Sequence, residues 1–185
     1  MKESASMLER RSALASAKPY KSAVLTIAER PGFTLTQVAG LSPDFEAKLA
    51  DVAGSLPETV ARAQSNGERT LFRIGPAQFW IVGPETDDVA SRLAGACAVT
   101  PLTSSRVRIG IEGAPARDVL AMLIPVDLHR SVFAPGSVAL TGIHHTPVTV
   151  HCRGEDAFDV YVMRTFARDV WDAITDAALR FADDP

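Results

Sequence analysis

The hydrophobic pattern after residue 20 first predicts a pair of strands. Residues 22–29 (SAVLTIAE) and 33–40 (FTLTQVAG) are short runs of β-type character. Pro31 and Gly32 separate them, and such a pair is typical of a turn between two strands. We therefore expect the two runs to form a hairpin.

A helix is predicted next. It begins at Ser42, a favourable N-cap residue, with Pro43 in the first helical position. Phe45, Leu49 and Val52 follow at helical spacing, so they define its buried face.

A second strand pair and a helix follow. Residues 70–75 (TLFRIG) and 77–83 (AQFWIVG) predict two strands joined by a turn that begins at Gly75. The helix is expected from Thr86, with Asp87 in its first turn, where the helix dipole favours negative charge.

A strand of period two then opens the second half with the run SRVRIGIEG. Val107, Ile109 and Ile111 point to one face, and Arg106 and Arg108 point to the other. We expect the apolar face to be buried and the two arginines to be solvated or interfacial. They could alternatively clamp a carboxylate.

A helix, three strands and a last helix complete the pattern. The helix PARDVLAMLI should end before Pro125, because a proline ring disfavours helical geometry in the preceding residue. The later elements are GSVALTGIHH, PVTVHCRG, AFDVYVM and the helix TFARDVWDAITDAALRF. Phe166, Val170, Trp171 and Ile174 form a wide apolar stripe on this last helix.

A constant offset of 79 residues relates the second block to the last one. The matched positions are Gly75 and Gly154, Phe79 and Phe158, Ile81 and Val160, and Thr86 and Thr165. We predict an internal duplication, with residues 21–185 forming one domain of two similar halves, about 21–100 and 101–183. Hairpins outnumber long crossovers, so the fold class is α+β with mostly antiparallel sheets and packed helices.

Composition changes this picture mainly by exclusion. The net charge of the 185 residues is −3, and lysine and arginine are scattered, which argues against a nucleic-acid partner. No apolar run approaches the roughly 20 residues that cross a bilayer. Residues 1–20 are rich in serine, alanine and charge, which predicts a flexible or partner-bound tail and no secretory signal. Together with two cysteines that we expect to be free thiols, Cys97 and Cys152, these features favour a cytoplasmic protein with no membrane partner.

The stretch GIHHTPVTVHC concentrates His144, His145, His151 and Cys152. Adjacent strand residues point to opposite faces, so neither neighbouring pair can reach one ion together. Zinc needs three or four ligands, and a cysteine next to a histidine in sequence is not thereby in contact with a base. We predict a buried structural thiol and no metal; a metal enzyme built on this hairpin is the least favoured alternative.

Two other motifs also fall short of a site. Asp127 and His129 lie two residues apart, where an acid could orient a base, but a turn or salt bridge explains the spacing equally well. Gly110 and Gly113 in GIEGAPA lack the lysine of a phosphate loop, and Glu112 would repel phosphate, so we expect a tight turn. The sequence thus predicts no catalytic, cofactor-binding or metal-binding residue.

Several long stretches carry a family resemblance. They are SRVRIGIEGAPARDVLAMLIPVDLH, VFAPGSVALTG and AFDVYVMRTFARDVWDAI, with AERPGFTLTQVAG and AQFWIVG upstream. The most specific pieces are residues 125–129 with Phe133 and Gly136, and residues 158–171. Together they resemble the gamma subunit of heterotetrameric sarcosine oxidase, whose family is in turn similar to the folate-binding domain of the glycine-cleavage T-protein.

This resemblance implies an accessory, non-catalytic subunit of a complex that oxidatively demethylates sarcosine. Larger flavin-carrying subunits would be its partners and would hold FAD, FMN, NAD, tetrahydrofolate and zinc, with no cofactor on this chain. Related complexes oxidise other N-methyl amines such as N-methylglutamate. A freestanding folate-binding or folate-dependent one-carbon transfer protein is the alternative from another class. An isolated subunit could also self-associate to cover its docking face.

Overall fold

The computed structural model describes residues 11–40 and 42–181. Within these ranges the chain forms two sheets and four α-helices. The strands are β1 (Tyr20–Lys21), β2 (Thr26–Glu29), β3 (Phe33–Ala39), β4 (Arg62–Asn66), β5 (Arg69–Gly75), β6 (Gln78–Pro84), β7 (Ala98–Pro101), β8 (Arg106–Glu112), β9 (Val138–Ile143), β10 (Thr146–Gly154) and β11 (Ala157–Met163). The helices are α1 (Phe45–Ala53), α2 (Val89–Leu93), α3 (Ala116–Ala121) and α4 (Ala167–Ala178).

Each half of the chain contributes most of one sheet. The first sheet has the order β4-β5-β6-β3-β7, and the second has the order β1-β2-β8-β11-β10-β9. Neighbouring strands pair antiparallel in both. The predicted α+β class with antiparallel sheets is therefore confirmed.

The two sheets pack face to face, and the helices cover their outer faces. On the first sheet, Phe79 and Ile81 pack against α1 and α2. On the second, Ile109 and Val160 pack against α3 and α4. The inner faces meet in a third cluster, made of Phe33, Leu35, Phe72, Trp80, Val82, Val138 and Tyr161. This burial of apolar surface in four layers is the main source of stability.

The predicted hairpin around Pro31 and Gly32 is wrong. β2 pairs with β8 in the second sheet, whereas β3 pairs with β6 and β7 in the first. Ile27 of β2 joins the core beneath α3 and α4, while Val38 of β3 joins the core beneath α1 and α2. The proline-glycine pair marks a change of direction correctly, but the burial of each strand decides its partner.

The segment before residue 20 is also corrected where it is described. Leu14 is 2% exposed and belongs to the core beneath α3 and α4. Arg164 donates a hydrogen bond to the carbonyl of Arg11, and the Tyr20 hydroxyl donates to the carbonyl of Ala178 at 3.3 Å. Residues 11–20 thus pack as part of the domain, and the remainder of the predicted tail lies outside the described residues.

The first two helices begin later than predicted. α1 begins at Phe45, whose backbone N–H donates to the carbonyl of Ser42 at 3.1 Å, so Ser42 and Pro43 form the turn before it. α2 begins at Val89, and Asp87 precedes it, accepting the Val89 N–H at 3.1 Å.

The apolar stripe predicted for the last helix needs one correction. Val170, Trp171 and Ile174 are buried as predicted. Phe166 is 41% exposed, because it lies in the 3-10 turn before α4 and does not share the helical periodicity. No helix in the described ranges combines the length and apolar character needed to cross a membrane.

The hairpins that suggested a duplication have the same register. A bulge precedes Gly75 in β5 and Gly154 in β10. Equivalent pairs are Leu71–Ile81 and Val150–Val160, Phe72–Trp80 and His151–Asp159, and Gly75–Gln78 and Gly154–Ala157. The third strand follows, with Leu35–Val82 equivalent to Arg108–Tyr161. The duplication stays a prediction, which this shared register supports.

Candidate functional site

The residues of the histidine-rich stretch lie in different environments: two are in an exposed turn and two are buried. His144 and His145 form the exposed turn between β9 and β10, and His144 has a φ of +52°, so they do not continue a strand as predicted. His151 faces the space between the sheets, whereas Cys152 joins the core beneath α3 and α4. The opposite orientation predicted for His151 and Cys152 is confirmed. Across residues 11–40 and 42–181, no three His, Cys, Asp or Glu side chains are grouped as metal ligands.

Asp127 and His129 form a turn, one of the two readings that the sequence left open. The Asp127 carboxylate accepts the backbone N–H of His129 at 2.9 Å. The imidazole Nδ1 of His129 lies 2.7 Å from the hydroxyl of Ser131, and both side chains are exposed. Because the carboxylate binds the backbone and not the ring, it does not orient His129 as a base.

Gly113, which lies between β8 and α3, has a steric role. Gly113 has a φ of +132°, and a Cβ there would lie 2.0 Å from the carbonyl oxygen of Val24. The tight turn predicted for this segment is therefore confirmed.

The feature that sequence analysis missed is a cleft of about 460 Å³ between the two sheets, here called the inter-sheet cleft. Its volume lies within the range of roughly 300–1,000 Å³ typical of small-molecule sites. Phe33, Val82 and Pro84 form part of its apolar lining. Its charged and titratable lining residues are Glu68, Arg108, His151, Arg153, Asp159 and Tyr161.

His151 is held neutral in this cleft. Its ring lies 4.7 Å from that of Phe72, centroid to centroid, and the residue is 6% exposed. Burial, reinforced by the positive charges of Arg153 and Arg108, lowers its pKa to about 4. A neutral imidazole offers one donor and one acceptor, so it can bind a polar ligand without adding charge.

Asp159 is the most deeply buried acid of the cleft, with a side chain that is 3% exposed. Its Oδ1 accepts no hydrogen bond. Arg153 Nε lies 3.5 Å away and Arg30 Nη1 lies 3.6 Å away, which gives charge compensation but not a hydrogen bond. Both guanidinium groups instead bind Glu112, at 2.5 and 2.9 Å. A buried carboxylate oxygen without a donor is costly, so it marks a place where a ligand donor would be stabilised.

Arg108 lies along the apolar wall of the cleft. Its Nε donates to the carbonyl of Arg30 at 3.1 Å, and its guanidinium lies 4.7 Å from the centre of the Phe33 ring. The arginine face of β8, which the sequence predicts to be solvated or interfacial, packs on the first sheet and is therefore not simply solvated. Arg106 lies on the same face of β8 but outside the cleft lining, with its guanidinium 5.8 Å from the centre of the Trp80 ring.

Tyr161 completes the polar wall. Burial raises the pKa of its phenol, and the charge of Asp159 raises it further. The phenol therefore stays protonated at neutral pH and can donate a hydrogen bond. With a neutral imidazole, a carboxylate and guanidinium groups around it, the cleft is suited to recognising a polar ligand through hydrogen bonds and charge.

The fold of two packed antiparallel sheets covered by helices is similar to those of two solved structures. It matches a chain of the heterotetrameric sarcosine oxidase from Corynebacterium sp. U-96, a structure in complex with pyrrole 2-carboxylate. That match has a TM-score of 0.85 and 23% sequence identity, and it covers 95% of this chain and 98% of the other. A glycine cleavage system aminomethyltransferase T from Bartonella henselae also matches, with a TM-score of 0.63, 17% identity, and coverage of 83% of this chain and 46% of the other.

These comparisons establish the fold. They confirm, at the level of structure, the resemblance to sarcosine oxidase and to the T-protein that the sequence predicted. No protein-family model matches the chain, and no curated protein matches it in sequence.

Proposed function

We propose that this chain is an accessory, gamma-type subunit of a sarcosine oxidase-type complex that oxidatively demethylates sarcosine. The observation that carries the proposal is the reciprocal coverage of 95% and 98% with a chain of the heterotetrameric enzyme. A subunit that occupies the equivalent place in a similar complex is expected to match its counterpart over the whole length of both chains. The T-protein match, by contrast, covers 46% of that chain.

In this proposal the chain supplies no catalytic residue. Cys152 is buried, burial raises the pKa of its thiol, and the neighbouring His151 points to the other side of the sheet. A thiol in such a place is not activated as a nucleophile. FAD, FMN, NAD, tetrahydrofolate and zinc would be held by larger partner subunits, and the complex would act in the cytoplasm.

Exposed apolar side chains support a docking role. Those that are at least 40% exposed are Val60, Met122, Val132, Leu140, Met163, Phe166 and Leu179. Met122 also borders a shallow depression of about 400 Å³ together with Leu123 and Pro125. Burying such side chains against a larger subunit would contribute to association.

Capture of a partner tests the proposal. The tagged chain is expressed in its native organism, and the eluate is examined for flavin absorbance and a larger polypeptide. Val132→Glu, Leu140→Glu and Leu179→Glu are compared with Ser55→Glu, which places the same charge at an exposed polar position. We expect at least one of the three apolar variants to lose the flavin while Ser55→Glu retains it. A wild-type chain that elutes colourless and alone would contradict the proposal.

A folate-binding protein is the second candidate, and one feature of the cleft favours it. Asp159, whose Oδ1 accepts no hydrogen bond, lines the same cleft as the aromatic ring of Phe33, and a pterin ring presents N–H donors on a flat surface. Calorimetry of the isolated chain with tetrahydrofolate decides this candidate. Heat with saturation would support it, and the absence of both heat and a thermal shift would exclude it.

The amine is a separate question. N-methylglutamate is the competing substrate class, and turnover of the captured complex with each amine distinguishes the two. Faster oxidation of sarcosine supports the complex proposed here, whereas faster oxidation of N-methylglutamate would assign the chain to the related dehydrogenase.

A further inference from the structure

We propose that the inter-sheet cleft binds a small zwitterionic ligand of the amino-acid class, with its carboxylate at Arg108 and its amine N–H groups at Asp159. This inference goes beyond the subunit role and does not depend on it. It is carried by the side chains that the two sheets present to each other.

The shared register gives five inward-facing residues of the second sheet, four of which line the cleft, an internal reference position. The equivalent residues, first sheet before second, are Phe33 and Arg106, Leu35 and Arg108, Phe72 and His151, Trp80 and Asp159, and Val82 and Tyr161. The first sheet fills these positions with apolar side chains, and the second fills them with polar or charged ones. Packing alone would favour apolar residues on both sides, since burying polar and charged groups is costly. The polar set therefore indicates a binding role.

Asp159 supplies the first half of the recognition. Asp159 lines the cleft, and its Oδ1 is buried and accepts no hydrogen bond. The nearby guanidinium nitrogens of Arg30 and Arg153 stay at 3.6 and 3.5 Å because both groups bind Glu112. A ligand N–H that reached this oxygen from the cleft would supply the hydrogen bond that it lacks. An ammonium group is the donor that a carboxylate binds most strongly.

Arg108 supplies the second half. Its guanidinium forms no ion pair with any carboxylate in residues 11–40 and 42–181. The contact with the Phe33 ring places it against the wall of the cleft. A guanidinium is planar and is suited to a carboxylate, which it can bind through two parallel hydrogen bonds.

The charge balance of the cleft selects a zwitterion over a simple anion. Arg108 and Arg153 line it together with Glu68 and Asp159, so the two positive and two negative charges cancel. His151 adds hydrogen-bonding capacity without charge, since it is neutral at pH 7. A ligand with one positive and one negative group keeps this balance, whereas a cation alone or an anion alone would disturb it.

The first experiment titrates the full-length chain with three probes and follows the NMR signals of the His151 imidazole and the Tyr161 ring. Glycine carries a carboxylate and N–H donors, glycine betaine keeps both charges but has no N–H, and acetate has the carboxylate alone. We expect saturable shifts with glycine and at least roughly tenfold weaker binding of betaine and acetate, because each loses a charged hydrogen bond or an ion pair. This comparison needs no variant, so it is independent of any folding defect.

Variants then assign the two halves of the site. Asp159→Asn should weaken glycine binding by roughly tenfold or more and remove the preference for glycine over betaine. Arg108→Leu introduces the residue found at the equivalent position of the first sheet, and it should weaken all three probes. Asp156→Asn is the matched control, because Asp156 pairs with Arg130 outside the cleft; it should bind glycine like the wild type.

Three results would overturn the proposal. They are shifts that do not saturate, equal affinity for glycine and betaine, and the absence of any shift in the His151 and Tyr161 signals. Binding of tetrahydrofolate in the absence of glycine binding would assign the cleft to the folate candidate instead. Since none of these measurements uses a partner, their failure is separate from failure to capture a flavin-carrying subunit.

Discussion

Asp159 lies directly opposite Gly110 across β8 and β11, and the missing side chain of Gly110 makes room for the stem of Arg30. A Cβ at Gly110 would lie 2.6 Å from Arg30 Cδ. At the equivalent place in the first sheet, Trp80 lies opposite Gln37 and its indole N–H donates to the Gln37 side chain at 3.0 Å. The first sheet thus holds a pair joined by its own hydrogen bond at this position. The second sheet holds an acid there, Asp159, whose charge Arg30 compensates from beyond the end of β2.

Gly110→Ala should loosen this arrangement. The added methyl group displaces the Arg30 stem and weakens its compensation of Asp159, at an expected cost of about 1 kcal/mol in the free energy of unfolding. Gly142→Ala is the control, since its Cβ would have its nearest contact at 3.5 Å. Urea denaturation of both variants measures the difference. Equal stability of the two would show that Arg30 is not held by the space at Gly110.

Arg117 is expected to be a major contributor to stability. It is 8% exposed, and its guanidinium donates to the carbonyls of Leu128, Phe133 and Glu155 at 2.5 to 3.0 Å. Arg117→Met keeps much of the volume but leaves the buried carbonyls of Leu128 and Phe133 without this donor, so it should cost about 3 kcal/mol.

The exposed Arg168→Met is the matched control for Arg117→Met. Arg168 pairs with Asp172 on the surface of α4, and such a pair contributes less than about 1 kcal/mol. Thermal or urea unfolding distinguishes the two variants. A loss of similar size in both would contradict the role assigned to Arg117.

His151 should make the folded chain less stable in mild acid. Its pKa is about 4 in the folded chain and 6.5 when exposed, so between these values the unfolded chain binds a proton that the folded chain does not. The free energy of unfolding therefore falls as the pH drops from 6.5 towards 4. The loss is about 3 kcal/mol, since each pKa unit corresponds to about 1.4 kcal/mol.

His151→Phe tests this pH dependence, because Phe72 is the residue at the equivalent position of the first sheet. Urea denaturation at pH 7, 5.5 and 4.5 should show a flatter profile for the variant than for the wild type. His145→Gln removes an exposed imidazole and should keep the wild-type profile. An unchanged slope in His151→Phe would mean that another group titrates in this window.

Protonation of Asp87 should reduce the stability of the chain at a lower pH than protonation of His151 does. Arg69 binds its carboxylate through two hydrogen bonds of 2.6 and 2.7 Å and holds its pKa below the usual 3.8. The stabilisation is therefore complete above pH 3.8 and is lost only in stronger acid. Asp87→Asn should cost about 2 kcal/mol at pH 7, against less than about 0.5 kcal/mol for the exposed Asp88→Asn. Equal urea midpoints would contradict this assignment.

The sequence predicted the elements better than their partners. Period two in SRVRIGIEG identified β8 and the buried face of Val107, Ile109 and Ile111, because alternation is a local property of the chain. The pairing of β2 with β8 is not local. It depends on which core can bury Ile27, and no turn signal at Pro31 and Gly32 contains that information.

The inter-sheet cleft was missed for a related reason. Arg108, His151 and Asp159 lie on three strands, and each alone is explained as a surface or core residue. The face of β8 that carries Arg106 and Arg108 is covered only because the first sheet packs against it. The offset of 79 residues could have indicated these cleft residues. Adding 79 to the positions of the apolar pair Phe72 and Trp80 gives the polar pair His151 and Asp159.

Native mass spectrometry of the chain captured from its own organism tests the central claim most directly, combined with sarcosine-dependent oxygen uptake by the same eluate. The subunit role predicts a flavin-containing hetero-oligomer in which this chain is one component and which consumes oxygen when sarcosine is added. A colourless eluate that contains only this chain, as monomer or homo-oligomer, and no sarcosine-dependent oxygen uptake would contradict it.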